Sequence, residues 1–89
     1  MTAEEALARI VSSTLGKREA LAEARRHNEV RAAAVREYRE LAPRQRGRLR
    51  TKVQIAEDIK VALIAAGVPA DEIKGLGLSH DSIRNILEA

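Results

Sequence analysis

Eighty-nine residues make one domain at most, or a small domain with an extension. There is no Phe, no Trp, no Cys and a single Tyr, so a core must come from Leu, Ile, Val and Ala, and disulfides, thiolate zinc sites and cysteine nucleophiles are excluded. The net charge of +3 is modest but unevenly spread: +1 over residues 1–43, +5 over 44–52 and −3 over 53–89.

Abundant Ala, Glu, Arg and Leu favour helices, and no long stretch alternates as a half-buried strand does, so the expected fold class is all-α. The longest apolar run is far too short to span a bilayer, and the first residues lack the pattern of a signal peptide. We therefore expect a cytoplasmic protein with no membrane association. A thin aliphatic core in so short a chain is commonly completed by a second subunit.

Along the chain, Thr2 and Glu5 have capping-box spacing in front of the apolar series Leu7, Ile10, Val11 and Leu15. Gly16 either ends that helix or weakens a longer one. Lys17 to Ala42 holds neither Gly nor Pro and reads as one helix of about 26 residues, near 39 Å long at 1.5 Å per residue. Pro43 stops it. The N-terminal part, 1–42, is thus a long helix or a broken helix pair.

A seven-residue register crosses both pieces: Leu7, Thr14, Leu21, Asn28, Val35 and Ala42, with Ile10, Lys17, Ala24, Arg31 and Tyr38 beside them. It predicts a homodimeric coiled coil in which a buried Asn28 fixes the register and the cations weaken the seam. The alternative is an amphipathic helix folded back on the C-terminal unit. Charges on the other face, Glu19, Glu23, Arg26, Arg36 and Glu40 among them, read as solvated surface.

Residues 43–52 form a basic arm or linker: Arg44, Arg46, Arg48, Arg50 and Lys52 alternate with other residues, without an acid. A third segment, 53–89, holds three short helical patterns. Ala56, Ile59, Leu63 and Ala66 make the stripe of the first, ended by Gly67 and Pro69. Ala70–Lys74 is a short second helix with acids in its first turn, and Gly75–Leu78 is a turn. Ser79 caps the third, in which Ile83, Ile86 and Leu87 face inward and His80, Asp81, Arg84 and Asn85 outward.

The series Ala66-Gly67-Val68, Glu72-Ile73, Leu76-Gly77-Leu78-Ser79, Ile83 and Ile86-Leu87 resembles the helix-turn-helix of bacterial repressors and of invertase/resolvase-type recombinase tails. The match covers roughly residues 44–89. It differs in one respect: the step from Ile73 to Gly77 is one residue shorter than the family's usual spacing, which shortens or tilts the second helix. The Gly75-Leu76-Gly77 segment also resembles a helix-hairpin-helix turn, but Asp81 and Arg84 stand where that motif needs a small and an apolar residue.

The helix-turn-helix resemblance implies double-stranded DNA as the partner of a dimeric transcriptional repressor or mobile-element accessory factor. It places Ser79, His80, Asp81, Arg84 and Asn85 against base edges of the major groove. Arg pairs with guanine, Asn with adenine, and Asp accepts from cytosine. Arg46-Gly47-Arg48 resembles the core of an AT-hook, and arginines of such an arm are drawn to narrow minor grooves. The alternative reading is a helical protein–protein interaction module, adaptor- or antitoxin-like, which the acidic 53–89 segment favours. His27 and His80 have no partners at metal-ligand spacing, and no nucleophile elbow, phosphate loop or carboxylate pair is present. We expect no enzyme, no cofactor, no metal and no small-molecule substrate.

Overall fold

The computed structural model describes residues 1–20 and 24–89. The protein is all-α, with α1 at Ala3–Glu19, α2 at Ala24–Leu41, α3 at Lys52–Ala65, α4 at Ala70–Ile73 and α5 at His80–Glu88. A 3-10 turn, Lys74–Leu76, continues α4.

In α1 the Thr2 hydroxyl accepts from the Glu5 amide at 3.2 Å. Glu4 and Glu5 lie in the first turn and Lys17 and Arg18 in the last, each on the favourable end of the helix dipole. The helix runs straight through Gly16. A Cβ there would stand 2.7 Å from the His27 ring, so this glycine marks a close approach of two helices and not a stop.

The single helix expected over Lys17–Ala42 does not form. α1 closes on Ala20 (φ −129°, ψ 77°), and α2 runs Ala24–Leu41. Arg9 lies 2.6 Å from Glu37, and the Ser13 hydroxyl donates to the His27 carbonyl at 2.7 Å, so α1 and α2 run antiparallel. The cause is burial. Ala6 and Ile10 from α1 join Ala34, Val35 and Tyr38 from α2 in one core, whereas one straight helix would leave both stripes wet.

That hairpin also absorbs the seven-residue register. Ile10, Thr14, Val35, Tyr38 and Ala42 are buried within one chain, so they cannot form the seam of the expected coiled-coil dimer. Asn28 is exposed and accepts from Arg31, while Arg31 itself is buried. Leu21 and Glu23 lie outside the described residues.

The capping box of α3 is complete. Thr51 Oγ1 accepts from the Gln54 amide at 3.2 Å, and Gln54 Oε1 accepts from the Thr51 amide at 2.9 Å. Ile55, Ala56, Ile59 and Leu63 form its inner face. At its end the Val68 amide donates to Leu63 O and the Gly67 amide to Ile64 O, both at 3.0 Å, with Gly67 at φ +97°. This is the Schellman pattern, and Leu63 and Val68 are both buried beside it. From α4 helical winding continues through the 3-10 turn to Leu76, so the turn predicted over Gly75–Leu78 contracts to Gly77–Ser79. α5 packs on α3 and α2 through Ile83, which is fully buried, and the partly buried Ile86 and Leu87.

Candidate nucleic-acid interface

The basic segment is a tight turn and not an extended arm. Gln45 and Arg48 exchange both backbone hydrogen bonds, at 2.9 and 3.0 Å. Arg46 (φ +52°) and Gly47 (φ +78°) both occupy the left-handed region, as a two-residue hairpin turn of type I′ requires. Gly47 adopts it freely; for Arg46 it costs roughly 1–2 kcal/mol. The Gln54 side chain donates to Gln45 Oε1 and ties the turn to the first turn of α3.

Five cations were expected to act together here, and the structure separates them. Arg44, Arg46 and Arg48 are exposed, and among the described residues none forms an ion pair. Arg50 turns inward. Its Nη2 donates to Asp58 Oδ1 at 2.9 Å, and its Nε lies 2.8 Å from Oδ2. The Tyr38 hydroxyl donates to the same Oδ2 at 2.8 Å. Burial first, then the hydrogen bond and charge of Asp58, push the Tyr38 phenol up to about 12, against the opposing effect of Arg50. Lys52 reaches α5, where Nζ lies 2.8 Å from Glu88 Oε1. Its hydrogen bond and charge hold the Glu88 carboxyl below the ordinary value. The acids of 53–89 thus engage the two cations nearest to them.

On α5, Ser79 Oγ accepts from the Ser82 amide at 3.3 Å and shares a hydrogen bond with the Ser82 hydroxyl at 3.0 Å. Ser79 therefore serves the cap. His80 Nε2 lies 2.8 Å from Glu57 Oε1 on α3. Asp81, Arg84 and Asn85 remain exposed on the outer face, with Ile83 beneath them. The structure thus presents two polar features: an arginine-bearing turn at the start of α3, and the outward face of α5.

One residue that positions this region was not read as such from the sequence. Arg31, 4% exposed, donates through Nη1 to the Leu76 carbonyl at 2.6 Å. Its Nη2 sits 3.0 Å from where a Cβ on Gly77 would be, and Lys17 Nζ 3.6 Å from it. Gly77 has φ +78°, and only glycine takes that conformation easily with two cations so close. Burial lowers the pKa of Arg31; burial and then the charge of Arg31 lower that of Lys17. No local signal marks Arg31, because an Arg in a helical seam normally points to solvent.

Among the described residues no group of three or more His, Cys, Asp or Glu could hold a metal ion, and no helix is long and apolar enough to cross a membrane. The chain matches no known protein family, no curated protein and no solved structure.

Proposed function

We infer that the protein binds double-stranded DNA, with α4, the Gly77 turn and α5 acting as a helix-turn-helix and the Arg46–Gly47 turn holding the backbone or minor groove. The observation that carries this reading is the turn. Three exposed arginines without carboxylate partners stand on a hairpin fixed to α3. Mutual repulsion of such cations is relieved by a polyanion, and each phosphate neutralised releases counterions. On α5, Arg84 and Asn85 have the side chains and the exposure for guanine and adenine edges, and Asp81 for cytosine. Ser79 and His80 support that helix from its first turn. Arg50 and Lys52 contribute through folding, by their bonds to Asp58 and Glu88. A cytoplasmic dimeric repressor or mobile-element accessory factor fits this chemistry.

Fluorescence anisotropy on labelled duplexes over a salt series tests it. Replacing Arg46 and Arg48 together by Ala is expected to weaken binding to all duplexes alike and flatten the salt slope by about two units at most. Arg84→Ala is expected to cost roughly 1–3 kcal/mol on the preferred site and to relax preference at one base position. Folded protein that binds no duplex at low salt would reject the reading. A second reading, a helical interaction module, draws on Val53, Val61 and Ile64, which are exposed on α3.

A further inference from the structure

The outer face of α1 carries Leu7, Val11 and Leu15, spaced by four residues and so aligned in one stripe. All three are only partly buried, at the margin of the core. Beside them α3 brings Ala62, Ala65 and Val61, the last 63% exposed. Together they line an open groove of about 660 Å³ along α1, continued by a second of about 440 Å³ beside Val61. Among the described residues, the charged groups lining the larger one are Glu4 and Glu19, near the two ends of α1.

We propose that the occupant is α1 of a second copy of this chain, packed antiparallel about a two-fold axis at Val11. In that register Leu7 meets Leu15 of the partner subunit, Val11 meets its own copy, and Glu4 meets the partner's Arg18. A shift of the axis to between Val11 and Ser12 sets Glu4 against Glu19 and Leu15 against Ala8. Like charges and a poorer apolar match disfavour it, so charge selects the register. The antiparallel arrangement also lays the acidic first turn, Glu4 and Glu5, beside the basic last turn, Lys17 and Arg18, of the facing helix.

Area decides how far the interface extends. α1 is a strip only about 25 Å long, while a stable dimer buries roughly 800 Å² on each partner. The α3 shoulder around Val61 is needed to approach that figure, which explains a large aliphatic side chain left in water. This inference does not depend on DNA binding, and it replaces the coiled coil whose positions the α1–α2 hairpin uses internally.

Sedimentation equilibrium of the full chain from micromolar to millimolar concentration tests it. The parent is expected to dimerise, and Val11→Arg, which sets two cations at the axis, to be monomeric with its helical circular dichroism intact. Should Val11→Arg not fold, Ala8→Arg, at an exposed position on the same face, carries the same expectation. Glu4→Arg and Arg18→Glu are each expected to weaken association about three- to tenfold, because the two-fold repeats every pair. Combined, they are expected to restore it to within about twofold of the parent. The Arg18–Glu72 contact within one chain is lost in both Arg18→Glu and the double variant, so recovery of the double variant over Arg18→Glu reports the pair between chains. A parent that stays monomeric throughout leaves the groove to a different partner and overturns the proposal. So does a dimer that both arginine variants leave intact, or a double variant no better than its parents.

Discussion

The α3–α5 half changes direction through residues that stand at the bends: Gly67 at φ +97° closes α3, and Gly77 at φ +78° precedes α5. In the α1–α2 half two antiparallel helices pack on each other, and the sequence between Glu19 and Ala24 holds neither Gly nor Pro. One half is bent by local stereochemistry, the other by what its faces bury. The two are then joined by polar bonds that cross between them. Tyr38 of α2 meets Asp58 of α3, and Arg31 of α2 holds the Leu76 carbonyl just before the Gly77 turn. A half that is locally encoded is thus braced by one that is not, and the outward face of α5 is set by both.

The largest expected effect asks whether the halves melt apart. Ile10 in α1 and Ile83 in α5 are both fully buried in one continuous cluster. Ile10→Ala and Ile83→Ala are each expected to cost roughly 2–5 kcal/mol. Because the core is shared, each is expected to lower one common transition, seen alike by far-ultraviolet circular dichroism and by Tyr38 emission. Two separated transitions in Ile10→Ala would break the comparison and show that α3–α5 folds alone.

How much of this was legible follows the same division. The end of α3 and the starts of α4 and α5 were readable because Gly67, Pro69 and Ser79 act on their immediate neighbours. Thr51 and Gln54 have capping-box spacing, but within the charged run 43–52 Thr51 reads as part of an arm, and its role as the α3 cap is seen only in the structure. Gly16 misleads, since the same residue type marks a stop in one context and close helix packing in another. The antiparallel packing of α1 on α2 and the burial of Arg31 depend on contacts between residues far apart in sequence, such as Arg9 with Glu37 and Arg31 with Leu76. In the candidate interface, the arginines of the turn were visible as charge. Which of the five cations bond internally depended on where Asp58 and Glu88 lie in space.

A second, smaller effect probes the bond between the halves. The Tyr38 phenol is pushed from about 10 to about 12, chiefly by burial, so the folded state keeps a proton that the unfolded chain releases. Stability from this group is therefore complete below pH 10 and declines as pH rises through 10 to 12, by an amount on the order of 2 kcal/mol. Denaturant melts across that window are expected to show the decline in the parent and a shallower one in Tyr38→Phe. As the chain has a single tyrosine and no tryptophan, phenolate absorbance reads the titration directly. A midpoint near 10 in the folded protein would show that the α2–α3 bond does not persist.

The smallest effect separates a turn that only bends from one that is also braced. Gly67→Ala meets nothing within 4 Å, so its cost is that of a left-handed alanine, roughly 1 kcal/mol. Gly77→Ala carries the same backbone cost and sets a Cβ 3.0 Å from Arg31 Nη2, so the guanidinium, whose Nη1 bonds the Leu76 carbonyl and whose Nη2 bonds Asn28, must give way. Its expected loss is about 2 kcal/mol, larger than that of Gly67→Ala. Gly75→Ala is the control. Its φ is not in the left-handed region and nothing lies within 4 Å, so it is expected to be neutral or to stabilise by up to about 1 kcal/mol through a less flexible unfolded chain. The order Gly77, Gly67, Gly75 in chemical denaturation is the measurable result. In an Arg31→Met background, which removes the guanidinium, the gap between Gly77→Ala and Gly67→Ala is expected to close. If it stays open there, the α5 turn is set by its own backbone alone, and α2 does not brace it.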